Sequence, residues 1–447
     1  MVNKQEVTEP LNIIQQSRTF VDKLRELAGR SAWEWRTCPH CGSTYTIRNG
    51  GYWRHPWTPS GRQSVRIQRH KCSACGRTYS EEQAWLVRRS WYARAVHRQA
   101  VDWWVHGRSS LRRIAEMLRS EIGRQERWLS WHVWEESTAG LERCGLGAST
   151  LHRWLDRAGK WAEAHVAGQL AGVACSGQMG CDGLWTRLRR GVKSVVLSLV
   201  DTVSGVVWGI VVAAEEESQA GWCKLFEQAK RVGLVSEALN GLVSDGAQGL
   251  LSYLRATLEW VHHQRCVWHF WRNLAADLAR AVAKGVEGLA ASQTTAASQT
   301  TAKHNASVVR KELTTLLHAV LDASSLEAAE QALTQLNAHR LGQVLAKKVN
   351  EQLDHLLYHR LACHAGLARV GPEWLWRDFR LRLSRGCNHA STQRLERAAL
   401  LWMIYHNLTP AQRRSERKRH YKYPGQSPLE AAGSSPGEFT YLDALAI

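Results

Sequence analysis

Two Cys-x-x-Cys pairs constrain this chain more than any other local feature. Cys38 and Cys41 form the first, with Gly42 directly after it, and Cys72 and Cys75 form the second, followed by Gly76. Two such knuckles bring four thiolates to one zinc ion tetrahedrally, and the residues between them can pair as a β-hairpin. The pattern predicts a zinc ribbon over 36–82. Residues 42–71 make a longer connection than the commonest spacing, which leaves His40, His55 and His70 as substitute ligands. Four protein ligands leave no open position, so zinc here would be structural. Eleven cysteines, an odd number in 447 residues, argue against a secreted disulfide scaffold.

The ribbon is basic, and so is the rest of the chain. The formal net charge is +19, from 59 Lys and Arg against 40 Asp and Glu. Charge spread through the whole length points to a polyanionic partner, nucleic acid by default. The start, MVNKQEVTEPLNIIQQ, lacks a basic-then-apolar signal pattern, and an intracellular, cytoplasmic protein is expected. The longest apolar run, Val195 to Ala214, is broken by Asp201, Ser204 and Gly205. That break favours two strands and a turn over a membrane span.

Two amphipathic helices follow the ribbon. Leu111, Ile114, Ala115 and Leu118 fall on one face beside Arg112 and Arg113. In GASTLHRWLDRAGK, Leu151, Trp154, Leu155 and Ala158 make an apolar face, while Arg153, Arg157 and Lys160 make a basic stripe. A helix-turn-helix over 86–165 would use the first as support and the second as the reader of the major groove. Two ordinary amphipathic helices fit the same pattern, since the connection between them exceeds the usual short turn.

From residue 170 the composition changes to strands. SGQMGCDGLWTRL, KSVVLSLVDTVSG and VVWGIVVAAEEES read as three in succession, followed by a helix, a strand ending at Asp245, a helix, and a fifth strand running into a helix. The order β-β-β-α-β-α-β-α is that of an RNase H-like domain, an α/β fold with helices on both faces of a mixed sheet. Two-metal phosphoryl transfer requires carboxylates converging on ions roughly 4 Å apart. Asp182 on the first strand and Asp245 at the end of the fourth suit that role. Asp201 competes with Asp182, but its place before Ser204-Gly205 suits a β-turn.

CDGLW at 181–185, VSDGAQG at 243–249, CVWHFWRN at 266–273 and STQRLERA at 391–398 together resemble bacterial insertion-sequence DDE transposases, nearest to the Mutator-like group. The resemblance runs over about 170 to 425. It implies that Asp182, Asp245 and Glu396 are the catalytic acids, holding two Mg²⁺ ions for which Mn²⁺ can substitute. Cys266 and His269 match the family's Cys-x-x-His, Arg272 and Asn273 its basic-Asn pair, and Thr392 and Glu396 its Thr-x-x-x-Glu. Gln393 stands where the family usually has Asn, and a large zinc ribbon is not typical of the group. Upstream, Glu351, Glu373 and Asp378 are alternatives for the third acid. Glu396 is favoured because Leu395, Ala399 and Trp402 direct one face of its helix to the sheet.

An all-helical insertion is expected over 276–385, between the catalytic pieces 170–275 and 386–410. Within it the repeat ASQTTAASQTTA at 291–302 reads as a flexible loop. EWLWRDFRLRLSRG joins Trp374 and Trp376 to Arg377 and Arg380, and could stack an unpaired base while gripping phosphates. A helical segment over 1–35 and a basic tail over 411–447 complete the organisation. The resemblance implies a transposase that binds the terminal inverted repeats of its element and cleaves and joins double-stranded DNA, as a homodimer or larger multimer near the nucleoid. An RNase H-like nuclease that cuts without joining, or a domesticated DNA-binding regulator, is the alternative.

Overall fold

The computed structural model describes residues 37–81, 83–106, 109–130, 145–214, 216–290, 296–360, 366–383, 389–410 and 425–434. The expected segment 1–35 and most of the tail 411–447 lie outside these residues. The chain divides into two compact units, residues 1–99 with 116–146, and residues 100–115 with 147–447.

In the first unit, β1 (Thr46–Arg54), β4 (Val65–Cys72) and β5 (Thr78–Ser80) form an antiparallel sheet in the order β1-β4-β5. The small hairpin β2 (Trp57–Thr58) and β3 (Gly61–Arg62) lies between β1 and β4 in sequence. The two knuckles have the same local geometry: Gly42 N–H donates to the Cys38 carbonyl and Gly76 N–H to the Cys72 carbonyl, each at 2.9 Å. Both glycines sit at positive φ, 74° and 70°, where a side chain would be strained. β1 is exposed over nearly its whole length, with Ile47 and Trp53 more than half open to solvent. The division between the units falls within α1 (Arg94–Val105) and α2 (Leu111–Ser130). Leu111, Ile114, Ala115 and Leu118 are all buried, as their spacing predicts, while Arg112 and Arg113 are exposed.

The second unit opens with α3 (Ala148–Leu170), whose buried face includes Leu151, Trp154, Leu155 and Ala158. The next elements are β6 (Gln178–Arg187), β7 (Lys193–Asp201), β8 (Val207–Ala214), α4 (Gln219–Arg231), β9 (Gly241–Ser244), α5 (Gln248–Thr257), β10 (His262–Arg265) and α6 (Val267–Ala290). This is the element order read from the sequence. The five strands form one mixed sheet, β10-β9-β6-β7-β8, with β6, β7 and β8 antiparallel and β6, β9 and β10 parallel. β7 is buried from Ser194 to Asp201 on both of its faces, which accounts for its continuous apolar run. α4 packs on β7, β8 and α5.

The following elements are helical: α7 (Ala296–Leu321), α8 (Leu326–Ala338), α9 (Gln343–Asn350), α10 (Leu353–Leu357) and α11 (Glu373–Leu383). α6 to α10 share a core built on Phe270, Leu274, Leu313, Leu317, Leu336 and Leu356. The repeat departs from expectation, because its second copy, 297–302, lies with Ala296 in the first turns of α7 rather than forming a loop. Ala and Gln are good helix formers, the repeat has no Gly or Pro, and extending a helix already anchored at Leu313 and Leu317 is cheap. α12 (Thr392–Leu408) then packs against β8 and α3, and the short α13 (Pro428–Ala431) follows, capped by Ser427 and Glu430. No helix among the described residues is long and apolar enough to cross a membrane.

Candidate active site

Asp182 lies on β6, the central strand, and Asp245 directly follows β9. The two strands are parallel, with Gly180 opposite Val243, so continuing that register by two residues brings the aspartates side by side. The chain leaves β10 at Cys266 and enters α6 at once, which puts His269 in the helix's first turn at the same end of the sheet. Ligand atoms of Asp182, Asp245 and His269 all lie within 4.8 Å of one another.

Each aspartate is fixed by its own backbone. Asp182 Oδ1 accepts from Gly183 N–H at 2.9 Å, and Asp245 Oδ1 from Ala247 N–H at 3.0 Å. Asp182 is only 5% exposed, and its Oδ2 meets no hydrogen-bond donor among the described residues. Burial, and then the neighbouring Glu373 carboxylate, push the Asp182 carboxyl well above the usual range. His269 Nε2 pairs with Glu373 Oε1 at 2.8 Å. Burial opposes protonation of His269, but hydrogen bonds with Cys266 and Glu373 raise it to about 10. The bond to His269 holds Glu373 below its ordinary value.

Two further charged groups surround the aspartates. Glu217, just before α4, is raised to about 7 by burial and by Asp245. Its carboxylate occupies the space a side chain at Gly183 would need. Gly246, at φ +77°, leaves room for the Arg265 guanidinium, which a Cβ there would overlap. The sequence reading missed Glu217 and Arg265. The glycines beside both aspartates were the available signal, since a Gly next to a strand-end Asp marks close approach by another group.

Cys266 is fully buried against Val243 and Leu367 and accepts from Gly371 N–H at 3.3 Å. Burial favours its thiol, yet the His269 hydrogen bond and that N–H bring it below its ordinary value. Arg272 and Asn273 are exposed one turn further along α6, with Arg272 5.7 Å from the Trp268 ring centroid.

Glu396 is placed elsewhere. Its Oε2 accepts from Val212 N–H at 3.0 Å, and Lys224 Nζ pairs with it at 3.1 Å. It therefore caps the edge strand β8, with β7 lying between it and the Asp182 strand. Thr392 begins α12 behind the Ser391 cap. Asp201 is in the turn its sequence suggested, accepting from the backbone of Ser176, Val203 and Ser204.

Among the nucleic-acid candidates, Arg153, Arg157 and Lys160 are exposed on the face of α3 opposite its core, and Arg377 and Arg380 are exposed on α11. Trp374 is half-buried against His406. Trp376 corrects the expectation of a stacking platform: it is fully buried with Phe379 and offers no face to a base. In the ribbon, the Cys38 and Cys75 sulfurs are 3.7 Å apart and those of Cys41 and Cys72 3.6 Å. A tetrahedron with zinc–sulfur bonds of about 2.3 Å has edges of about 3.8 Å. The four thiols fit such an ion. His55 and His70 are turned to Ser64 and Glu81 instead.

Residues 204–360 match the family model for transposases of the Mutator family. That stretch, about a third of the chain, is similar to transposases of the Mutator family. The match takes in Asp245, Cys266 and His269, while Asp182, Glu373 and Glu396 lie outside it. A comparison with curated proteins gives no match. The Mutator-family match supports transposase function and implies a DNA partner.

Proposed function

We propose that the chain is a DDE-type DNA transposase with an RNase H-like catalytic domain, acting on the terminal inverted repeats of its own element. One observation carries the reading: in a chain whose residues 204–360 match Mutator-family transposases, Asp182 and Asp245 converge with His269 around a buried carboxylate oxygen that no donor reaches among the described residues. Hard carboxylate oxygens suit Mg²⁺ or Mn²⁺. When bound, such ions activate the attacking hydroxyl and stabilise the leaving oxygen. Asp182 and Asp245 would hold them, carried side by side on β6 and after β9. Glu396 is the third acid of the motif and is tested with them.

In the first step water attacks the phosphorus at the element end, the P–O3′ bond breaks, and a 3′-hydroxyl is released. In the second that hydroxyl attacks a target phosphodiester, forming one P–O bond as another breaks, with no covalent enzyme intermediate. The zinc ribbon at 36–82 and the helices of 86–165, with Arg112, Arg113, Arg153, Arg157 and Lys160, bind the ends in a helix-turn-helix manner, and two or more copies bring the ends together near the nucleoid. Arg377 and Arg380 add phosphate contacts.

The test is mobilisation in cells of a marker flanked by the DNA that neighbours the gene. Wild type should move it, and Asp182→Asn and Asp245→Asn should each abolish movement while still folding and binding DNA; Glu396→Gln tests the third acid of the motif, and loss of movement there in a folded chain would place it in the chemistry. Cutting without joining would make the chain a nuclease. Tight binding without either would make it a regulator.

A further inference from the structure

We infer that Glu373 supplies a carboxylate to the metal centre of Asp182, Asp245 and His269. This rests on the transposase reading above and moves to the centre a residue that the sequence offered only as an alternative to Glu396. Three contacts deliver Glu373 to the site. Gly371 N–H donates to Cys266 Sγ, and Val267 N–H donates to the Arg369 carbonyl at 3.2 Å, tying the approach to α11 onto the start of α6. Pro372 packs so closely on Gly180 of β6 that a Cβ there would lie 3.0 Å from its Cδ. The first residue of α11 therefore arrives beside both Asp182 and His269, and its Oε1 takes the His269 Nε2 bond.

The buried Asp182 Oδ2, which no donor reaches among the described residues, gives the arrangement its meaning. A buried carboxylate oxygen with no donor is costly, and a second carboxylate beside it adds repulsion. A cation between the carboxylates removes both penalties at once. Glu396 is poorly disposed for that task in this structure, because both of its oxygens lie against Lys224 and one also holds Val212 N–H. The rival account makes Glu373 only the ion-pair partner of His269.

Mn²⁺ binding to the full chain, followed by electron paramagnetic resonance, separates the two. Asp182→Asn and Asp245→Asn should lose binding. Glu373→Gln, which preserves shape and a hydrogen-bond acceptor for His269, should weaken it by about tenfold or more. Wild-type affinity in Glu373→Gln would overturn the inference while leaving the transposase reading intact. Wild-type affinity in both aspartate variants would instead overturn the centre itself. A second measurement needs no variant: Fe²⁺ in place of Mg²⁺, with ascorbate and peroxide, should cut the wild-type backbone near 182, 245 and 373. Cutting near 396 and not near 373 would reject the inference.

Discussion

Asp182 and Asp201 are both buried acids on adjacent antiparallel strands, and their surroundings set them opposite tasks. Asp201 receives three backbone N–H groups, from Ser176, Val203 and Ser204. Asp182 receives one and leaves an oxygen that no donor reaches among the described residues. In metal-free protein, Asp201→Asn should lower stability by about 1–3 kcal/mol, whereas Asp182→Asn should raise the melting temperature by removing a carboxyl whose ionisation burial and Glu373 oppose. Thermal melts in chelator check both signs. The choice between these two residues was legible in the sequence because a turn has its own signature, Asp before Ser204-Gly205. The neighbourhood of Glu373 was not legible, since its delivery depends on contacts between residues about a hundred positions apart, such as Gly371 with Cys266.

At the scale of elements, α12 shows what periodicity can and cannot carry. Leu395, Ala399 and Trp402 are buried as the apolar stripe required. A stripe specifies that a helix packs and leaves open which strand it packs on. α12 runs along the β8 edge, where Asn407 both accepts from Val207 N–H and donates to its carbonyl, and Glu396 holds Val212 N–H. These side chains take the place of a missing strand on an edge that would otherwise be unpaired. Asn407→Leu should therefore destabilise the domain by about 1–3 kcal/mol in denaturant melts. On the opposite side α3 crosses so tightly that a Cβ at Gly159 would lie 2.5 Å from the Arg397 carbonyl oxygen. Gly159→Val should cost about 1–3 kcal/mol through overpacking. Tryptophans were the least readable residues: Trp374 and Trp376 stand two apart on one helix, yet the first is half-buried and the second fully buried.

For the whole molecule, charge and buried histidines set the response to conditions. No Asp or Glu occurs from 37 to 80, so every Lys and Arg between the two knuckles stands without an acidic residue in that stretch. Cys72→Ser should abolish zinc binding and leave 37–81 open to protease, read by metal analysis and limited digestion. Burial lowers His263 to about 3 and His359 and His389 to about 4. Their unfolded values lie near 6.5, so the unfolded chain takes up protons first. Their stabilisation is complete above about pH 6.5 and is lost as pH falls toward 4 and then 3, which unfolding midpoints across that range should follow. The central claim is that Asp182 and Asp245 together make this basic chain a metal-dependent DNA-cutting and joining enzyme. Its most direct measurement is strand cleavage of the element's own end DNA by purified protein, with and without Mg²⁺. Cleavage that needs Mg²⁺ and disappears in both Asp182→Asn and Asp245→Asn is the predicted result, and cleavage that survives either substitution would contradict it.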